Sequence, residues 1–173
     1  MENRLLCLLK SSLSGARRIA VLGIGSEFRG DDAAGMLVST LIAKKKFPSN
    51  KTRVEVFLGA TAPENITGEI KRFKPTHVVI IDSIEAGQKP GTILVIDPKD
   101  IGGATFSTHT MPAKILAMYL TRSTRCRIII IGIQSKSVGF GDPLSSKVSE
   151  SANLVSRSFL DAVSSISRKR ANA

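Results

Sequence analysis

The stretch "VLGIGSEFRGDDAAG", Val21 to Gly35, follows an apolar run and leads into an amphipathic one. Its glycines suit a tight turn from a strand into a helix, the joint from which α/β folds are built. Its two adjacent aspartates, Asp31 and Asp32, bear on what that joint can hold. A dinucleotide-binding fingerprint needs G-x-G-x-x-G, with a pyrophosphate against the helix N-terminus. Here Gly30 comes two places late, and Glu27, Asp31 and Asp32 would repel a phosphate. No Gly-Lys-Ser/Thr follows, so a Walker loop is excluded as well. Two readings stand for the aspartates: they face a cation, or they cap the following helix.

Working outward, apolar runs rich in Val and Ile recur as strands buried on both faces should. They are "RIAVLGIG" from Arg18, "VEVFLG" at Val54 to Gly59, "THVVIIDS" at Thr76 to Ser83, "GTILVID" at Gly91 to Asp97 and "RCRIIIIGIQ" at Arg125 to Gln134. Helical patterns separate them: "DAAGMLVSTLIAKKK" from Asp32, "APENITGEIKRF" from Ala62, "MPAKILAMYLTR" from Met111, and a long amphipathic run from Asp142 to Arg170. Alternating strands and helices predict an α/β fold: one three-layer domain over residues 1–173, with a twisted, mostly parallel five-stranded sheet between helices. The connection "IEAGQKP" leaves no room for a helix, so the third and fourth strands are expected to pair antiparallel in a mixed sheet. Residues 1–16 read as an arm or short helix and residues 168–173 as a basic tail. Fraying is expected over about the first 15 and last few residues.

The chain has 173 residues and 42% hydrophobic content, enough for an ordinary core. No window reaches the roughly 18 apolar residues of a membrane span, and the short apolar run near the start lacks a cleavage site, so a cytoplasmic protein without a membrane partner is expected. Cys7 and Cys126 form no metal spacing and read as reduced thiols. The net charge is +11, distributed through "ARR", "AKKK", "KRFK", "TRSTRCR" and "SRKR". With aromatic content of 5% and no Trp, a stacking platform for single strands is hard to build. A solvated basic surface or an acidic protein partner is expected rather than nucleic acid.

Ligands of open α/β sheets bind beyond the carboxyl ends of the strands. Past the first strand stand Asp31 and Asp32; past the third, Asp82; past the fifth, Gln134 and "SVGFGDP"; and just before the "MPAKIL" helix, His109. His77 opens the third strand, five residues and roughly 16 Å from Asp82, so it belongs to the opposite edge. Taken singly, Asp82 reads as a turn residue and His109 as a polar loop residue. Together, carboxylates and one imidazole from separate loops form an O,O,N set with open positions, which suits a divalent transition ion rather than a closed structural zinc site.

These residues resemble the hydrogenase maturation endopeptidases, and among them the group acting on hydrogenase 3-type enzymes. "GIGSEFRGDDAAG" is similar to the family's G-x-G-N-x-x-x-x-D-D/E-x-x-G. "GATAPENITGEIKRFKPT", "IIDSIEAGQKPGTILVIDP", "STHTMPAKIL" and "IIGIQSKSVGFGDPLS" resemble its later blocks, in order, from about Ile19 to the last helix. Ser26 stands where the family has Asn, and Ala33 where it has Gly after the acids; Ala33 is expected to be harmless if that position is helical.

The resemblance implies a twisted, mostly parallel five-stranded sheet between helices. It also implies an endopeptidase that removes the C-terminal extension of the [NiFe] hydrogenase large-subunit precursor after nickel insertion. By position, Asp32, Asp82 and His109 would contact nickel carried by the substrate, with no resident metal. Asp32 or Asp82 would serve the hydrolysis, as a base or through the metal, and Asp31 would cap the helix or support Asp32. A monomer bound transiently to its substrate is expected. The rivals are a non-catalytic α/β module that binds a metal centre or a partner, and a different hydrolase such as an aminoacyl-tRNA esterase. The latter is disfavoured because "GDDAAG" is unlike its Thr-Arg-His-Asn block.

Overall fold

The first strand, β1 (Arg18–Ile24), is buried along all but its first residue, as an unbroken apolar run requires. In the computed structural model, which describes residues 2–47, 52–98 and 111–169, β1 lies between β2 (Arg53–Ala60) and β3 (His77–Ile84). The remaining strands are β4 (Ile93–Ile96) and β5 (Arg127–Gln134), and the five-stranded sheet runs β2-β1-β3-β5-β4. The pairings β1–β2, β1–β3 and β3–β5 are parallel, while β4–β5 is antiparallel.

The sheet is therefore mixed as expected, but the antiparallel partner of β4 is β5, not β3. Both edges of β3 are already taken by β1 and β5. The connection from β3 instead crosses the end of β5, where the Gly91 amide donates to the Gln134 carbonyl and the Gln134 amide to the Thr92 carbonyl, both at 2.9 Å.

Helices cover both faces. On one face α1 (Glu2–Ser12), α2 (Ala34–Ala43) and α5 (Ser146–Lys169) share a core with Ile19, Val21, Val79, Ile81, Ile129 and Ile131. On the other, Ile70 of α3 (Thr67–Phe73) and Leu116 and Leu120 of α4 (Met111–Thr124) pack over Ala20, Leu22, Val78, Ile80 and Ile130. Strand alternation sorts the residues of β1, β3 and β5 between the two cores. The start of the chain departs from the fraying expected of it. Leu5, Leu9 and Leu13, spaced one helical turn apart, are buried, and α1 packs on α5. Cys7, on the same helix, is exposed, while Cys126 is buried and its thiol is pushed up by that burial.

The helix after β1 begins later than the sequence pattern suggests: Gly30–Ala33 form a 3-10 turn, and α2 follows from Ala34. Gly35 explains the tight joint. A methyl group there would stand 2.2 Å from the Ile81 carbonyl and 2.3 Å from that of Ile24, so α2 rests directly on the ends of β1 and β3. Gly35→Ala should push α2 off the sheet and lower the melting temperature by about 4–10 °C. Gly68→Ala on α3, whose methyl group meets only a flexible Arg72 guanidinium at 3.9 Å, should leave it unchanged or slightly raised. Equal effects in the two variants would contradict the packing argument.

Candidate active site at the β1–β3 strand ends

Gly25 ends β1 with φ of +124°, and a methyl group there would lie 1.8 Å from the Asp32 carbonyl oxygen. The loop can close over the 3-10 turn only because that position is glycine. Closure brings the Ser26 amide to Asp32, where it donates to Oδ2 at 2.8 Å. Asp32 Oδ1 accepts from Ser83 Oγ at 3.0 Å. The Asp32 carboxylate is thus pinned from both sides, by the turn after β1 and by β3.

Ser26 holds this position through its backbone, with its hydroxyl accepting from the Phe28 amide at 3.4 Å. Ala33 adopts right-handed helical angles (φ −65°, ψ −10°), which accommodate its methyl group as expected.

Asp82 follows the apolar run of β3 and is buried, at 4% exposure. Alternation places it on the side of Ile80 and Ile84, toward the α3–α4 layer. Burial, and next the negative charge of Asp32, push its carboxyl up from 3.8 to about 7, while the Ser83 backbone pulls the other way. The Asp32 charge thus reaches the Asp82 carboxyl across adjacent strand ends. Beside Asp32 opens a cleft of about 400 Å³ lined also by Arg29, Ser83, Ile84, Glu85, Ser135 and Val138. A paired set of acids, one fixed by donors and one kept from ionising by its surroundings, can hold a cation or exchange a proton near neutral pH.

Asp31 does something else. It is buried, makes no side-chain cap on the turn, and accepts from the far side of the cleft. Its Oδ2 takes the Lys136 amide at 2.7 Å, the Ser137 amide at 3.3 Å and Ser145 Oγ at 3.0 Å; its Oδ1 takes the Ser145 amide at 2.7 Å. Neither a helix cap nor a partner of Asp32, it clasps the loop after β5 to the loop after β1. Gln134 is structural too, since its Oε1 accepts from the Ala86 and Gln88 amides at 2.8 and 3.1 Å.

His77 sits at the opposite end of β3 from Asp82, with Nδ1 3.1 Å from Thr76 Oγ1. His109 lies outside the described residues, two positions before the start of α4. Among the described residues no three acidic, Cys or His side chains gather as a metal site. Sequence reasoning missed Ser83. Its neighbour Asp82 was visible as a strand-end acid, but the hydroxyl that holds Asp32 becomes recognisable only once β1 and β3 are known to be adjacent.

Two variants separate these roles. Asp31→Ala removes the acceptor of four hydrogen bonds and should cost about 3 kcal/mol, a fall of about 6–12 °C in melting temperature. Asp82→Asn should behave oppositely. Folded Asp82 keeps its proton to about pH 7 and the unfolded group only to 3.8, so folded-state stability is lost as pH rises through that window. The Asn variant lacks this loss. Its advantage in denaturant melts should be small at pH 4 and reach on the order of 2–4 kcal/mol by pH 8. A pH-independent difference would show that Asp82 is not held from ionising.

The sequence profile of the hydrogenase maturation protease family HycI matches residues 36–162, beginning one residue after the strand-to-helix joint. The hydrogenase 3 maturation protease of Escherichia coli K12 is 34% identical over 136 residues, covering 78% of this chain and 84% of its own. A Methanocaldococcus jannaschii chain, provisionally described as a hydrogenase maturation protease, is 32% identical over 161 residues, covering 90% and 94%. Among solved structures, the HycI [NiFe] hydrogenase maturation protease of Thermococcus kodakarensis superposes with a TM-score of 0.80 at 33% identity, covering 91% of this chain and 99% of that one. These likenesses leave no place for the esterase reading. An α/β sheet of this order, with paired acids at the β1 and β3 ends and relatives matched over most of their length, belongs to the hydrogenase maturation proteases, a family of peptidases.

Proposed function

We propose that the protein is an endopeptidase that removes the C-terminal extension of a [NiFe] hydrogenase large-subunit precursor, and that it recognises the nickel already seated in that substrate. The observation that carries this reading is the coupled pair Asp32 and Asp82 at adjacent strand ends, beside an open cleft. Asp32, Asp82 and His109 are the groups that hold the substrate's nickel. The sequence places His109 next to α4, which packs on the sheet face that Asp82 belongs to. An O,O,N set leaves positions open for ligands that the substrate supplies.

Held there, the nickel brings the bond to be cut against the carboxylate pair and polarises its carbonyl. The carboxylates take up the proton that the attacking water gives up. Phe28 and Phe140, exposed on the two loops that Asp31 clasps together, support a polypeptide ligand, since both lie on loops that border the cleft. A binding module that never cuts would have less use for a buried carboxyl brought close to neutral pH.

The direct experiment is intact mass of a large-subunit precursor incubated with the protein, with and without nickel loading. A short C-terminal peptide should be lost only from the nickel-loaded precursor. Asp32→Asn, Asp82→Asn and His109→Ala should each slow the cut by at least about a hundredfold while remaining folded. Cleavage regardless of nickel would overturn the recognition, and a fully active, folded Asp82→Asn variant would overturn the site. Complex formation without cleavage would favour the non-catalytic module.

A further inference from the structure

Beneath α3, at the sheet edge opposite the carboxylates, lies a second cleft of about 560 Å³ lined by Arg18, Arg53, Glu55, Glu69, Arg72, Phe73 and Lys74. Arg18 and Arg53 are direct partners in the parallel register of β1 and β2, and both belong to the face covered by α3. Like charges placed opposite one another in a sheet are destabilising. Arg72 and Lys74 add two more cations from the end of α3. Glu55 and Glu69 share the cleft without neutralising it: among the described residues the direct ion pair is Lys147–Glu150 on α5, elsewhere on the surface.

Arg18 is also held in place. Arg18 Nε donates to the Lys74 carbonyl at 2.6 Å, and its backbone amide to Thr76 Oγ1 at 3.1 Å. Lys74 turns the chain there with φ of +52°. A guanidinium fixed through Nε in this way keeps its terminal nitrogens for a bidentate acceptor.

We propose that this cleft is a binding site for an acidic polypeptide segment of a partner protein, with Arg18 and Arg53 as its principal carboxylate-holding residues. A bound carboxylate offsets the repulsion between the two arginines. Peptide is favoured over nucleic acid because Glu55 and Glu69 would repel a continuous phosphate backbone. They can also meet the backbone amides or basic side chains of a mixed-charge peptide. The inference does not rest on the proposed cleavage reaction, since the cleft lies at the other end of the strands from Asp32 and Asp82.

The test is fluorescence anisotropy with a labelled acidic peptide of Glu-Glu-Lys repeats, run beside a single-stranded oligothymidylate of similar net charge. The full-length protein should bind the peptide, and binding should weaken as salt rises, as for charge-driven contacts. Arg53→Glu should weaken it at least about tenfold, as should the Arg18→Glu/Arg53→Glu pair. Arg53→Glu alone should at the same time raise the melting temperature by about 1–3 °C, because a cross-strand Arg–Glu pair replaces an Arg–Arg one. That combination of gained stability and lost binding is not what damage to the fold would give. Lys44→Glu/Lys45→Glu, the same change of charge on the other helical layer, should change binding less than about twofold. No peptide binding at low salt, equal loss in the lysine control, or tighter oligothymidylate binding lost in the same arginine variants would each overturn the proposal.

Discussion

The contact of Gly35 with the carbonyls of Ile24 and Ile81 is the constraint on which the rest depends. It seats the start of α2 directly over the ends of β1 and β3. With that distance fixed, the 3-10 turn before α2 must lie across the junction of the two strands, and its aspartates fall where the sheet ends. Asp32 then reaches both the Ser26 amide and the Ser83 hydroxyl, while Asp31 reaches the loop after β5. One small residue thus links helix packing, a clasp between loops and the placement of a carboxylate beside a cleft.

Parallel strands give the molecule a chemical polarity. Their carboxyl ends carry Asp31, Asp32, Asp82 and Glu85, and burial together with the Asp32 charge raises the cost of ionising Asp82. The opposite edge gathers the starts of β1 and β2 with the end of α3, and so collects Arg18, Arg53, Arg72 and Lys74. Cations suit helix C-termini and acids suit the first turns, so part of this separation follows from the backbone itself. The direct Arg18–Arg53 pairing and the buried Asp82 do not follow from it. Both cost stability in the isolated chain, and costs of that kind concentrate where a protein meets its ligands.

Much of this was legible in the residues. Five apolar runs located the five strands, and alternation with helical patterns set the fold class. The five-residue spacing from His77 to Asp82 by itself sets the two at opposite edges of the sheet. What escaped was long-range. The partner of β4 depends on which edges of β3 are free, and the burial of α1 depends on α5, which lies more than a hundred residues away. For Asp31 the sequence offers only local uses, a helix cap or a support for Asp32; its partners are Lys136, Ser137 and Ser145, far along the chain. The basic clusters looked scattered because "ARR", Arg53 and "KRFK" are joined only by the sheet.

Asp32 and Asp82 act as one site, in which the charge of the first bears on the ionisation of the second. The measurement that reaches it most directly is a carbon-detected NMR titration of the Asp82 carboxyl, in the native chain and in Asp32→Asn. The midpoint should lie near 7 in the native chain and fall once the neighbouring charge is removed. A midpoint near 4 in both would show two independent, solvated acids and would contradict the site described.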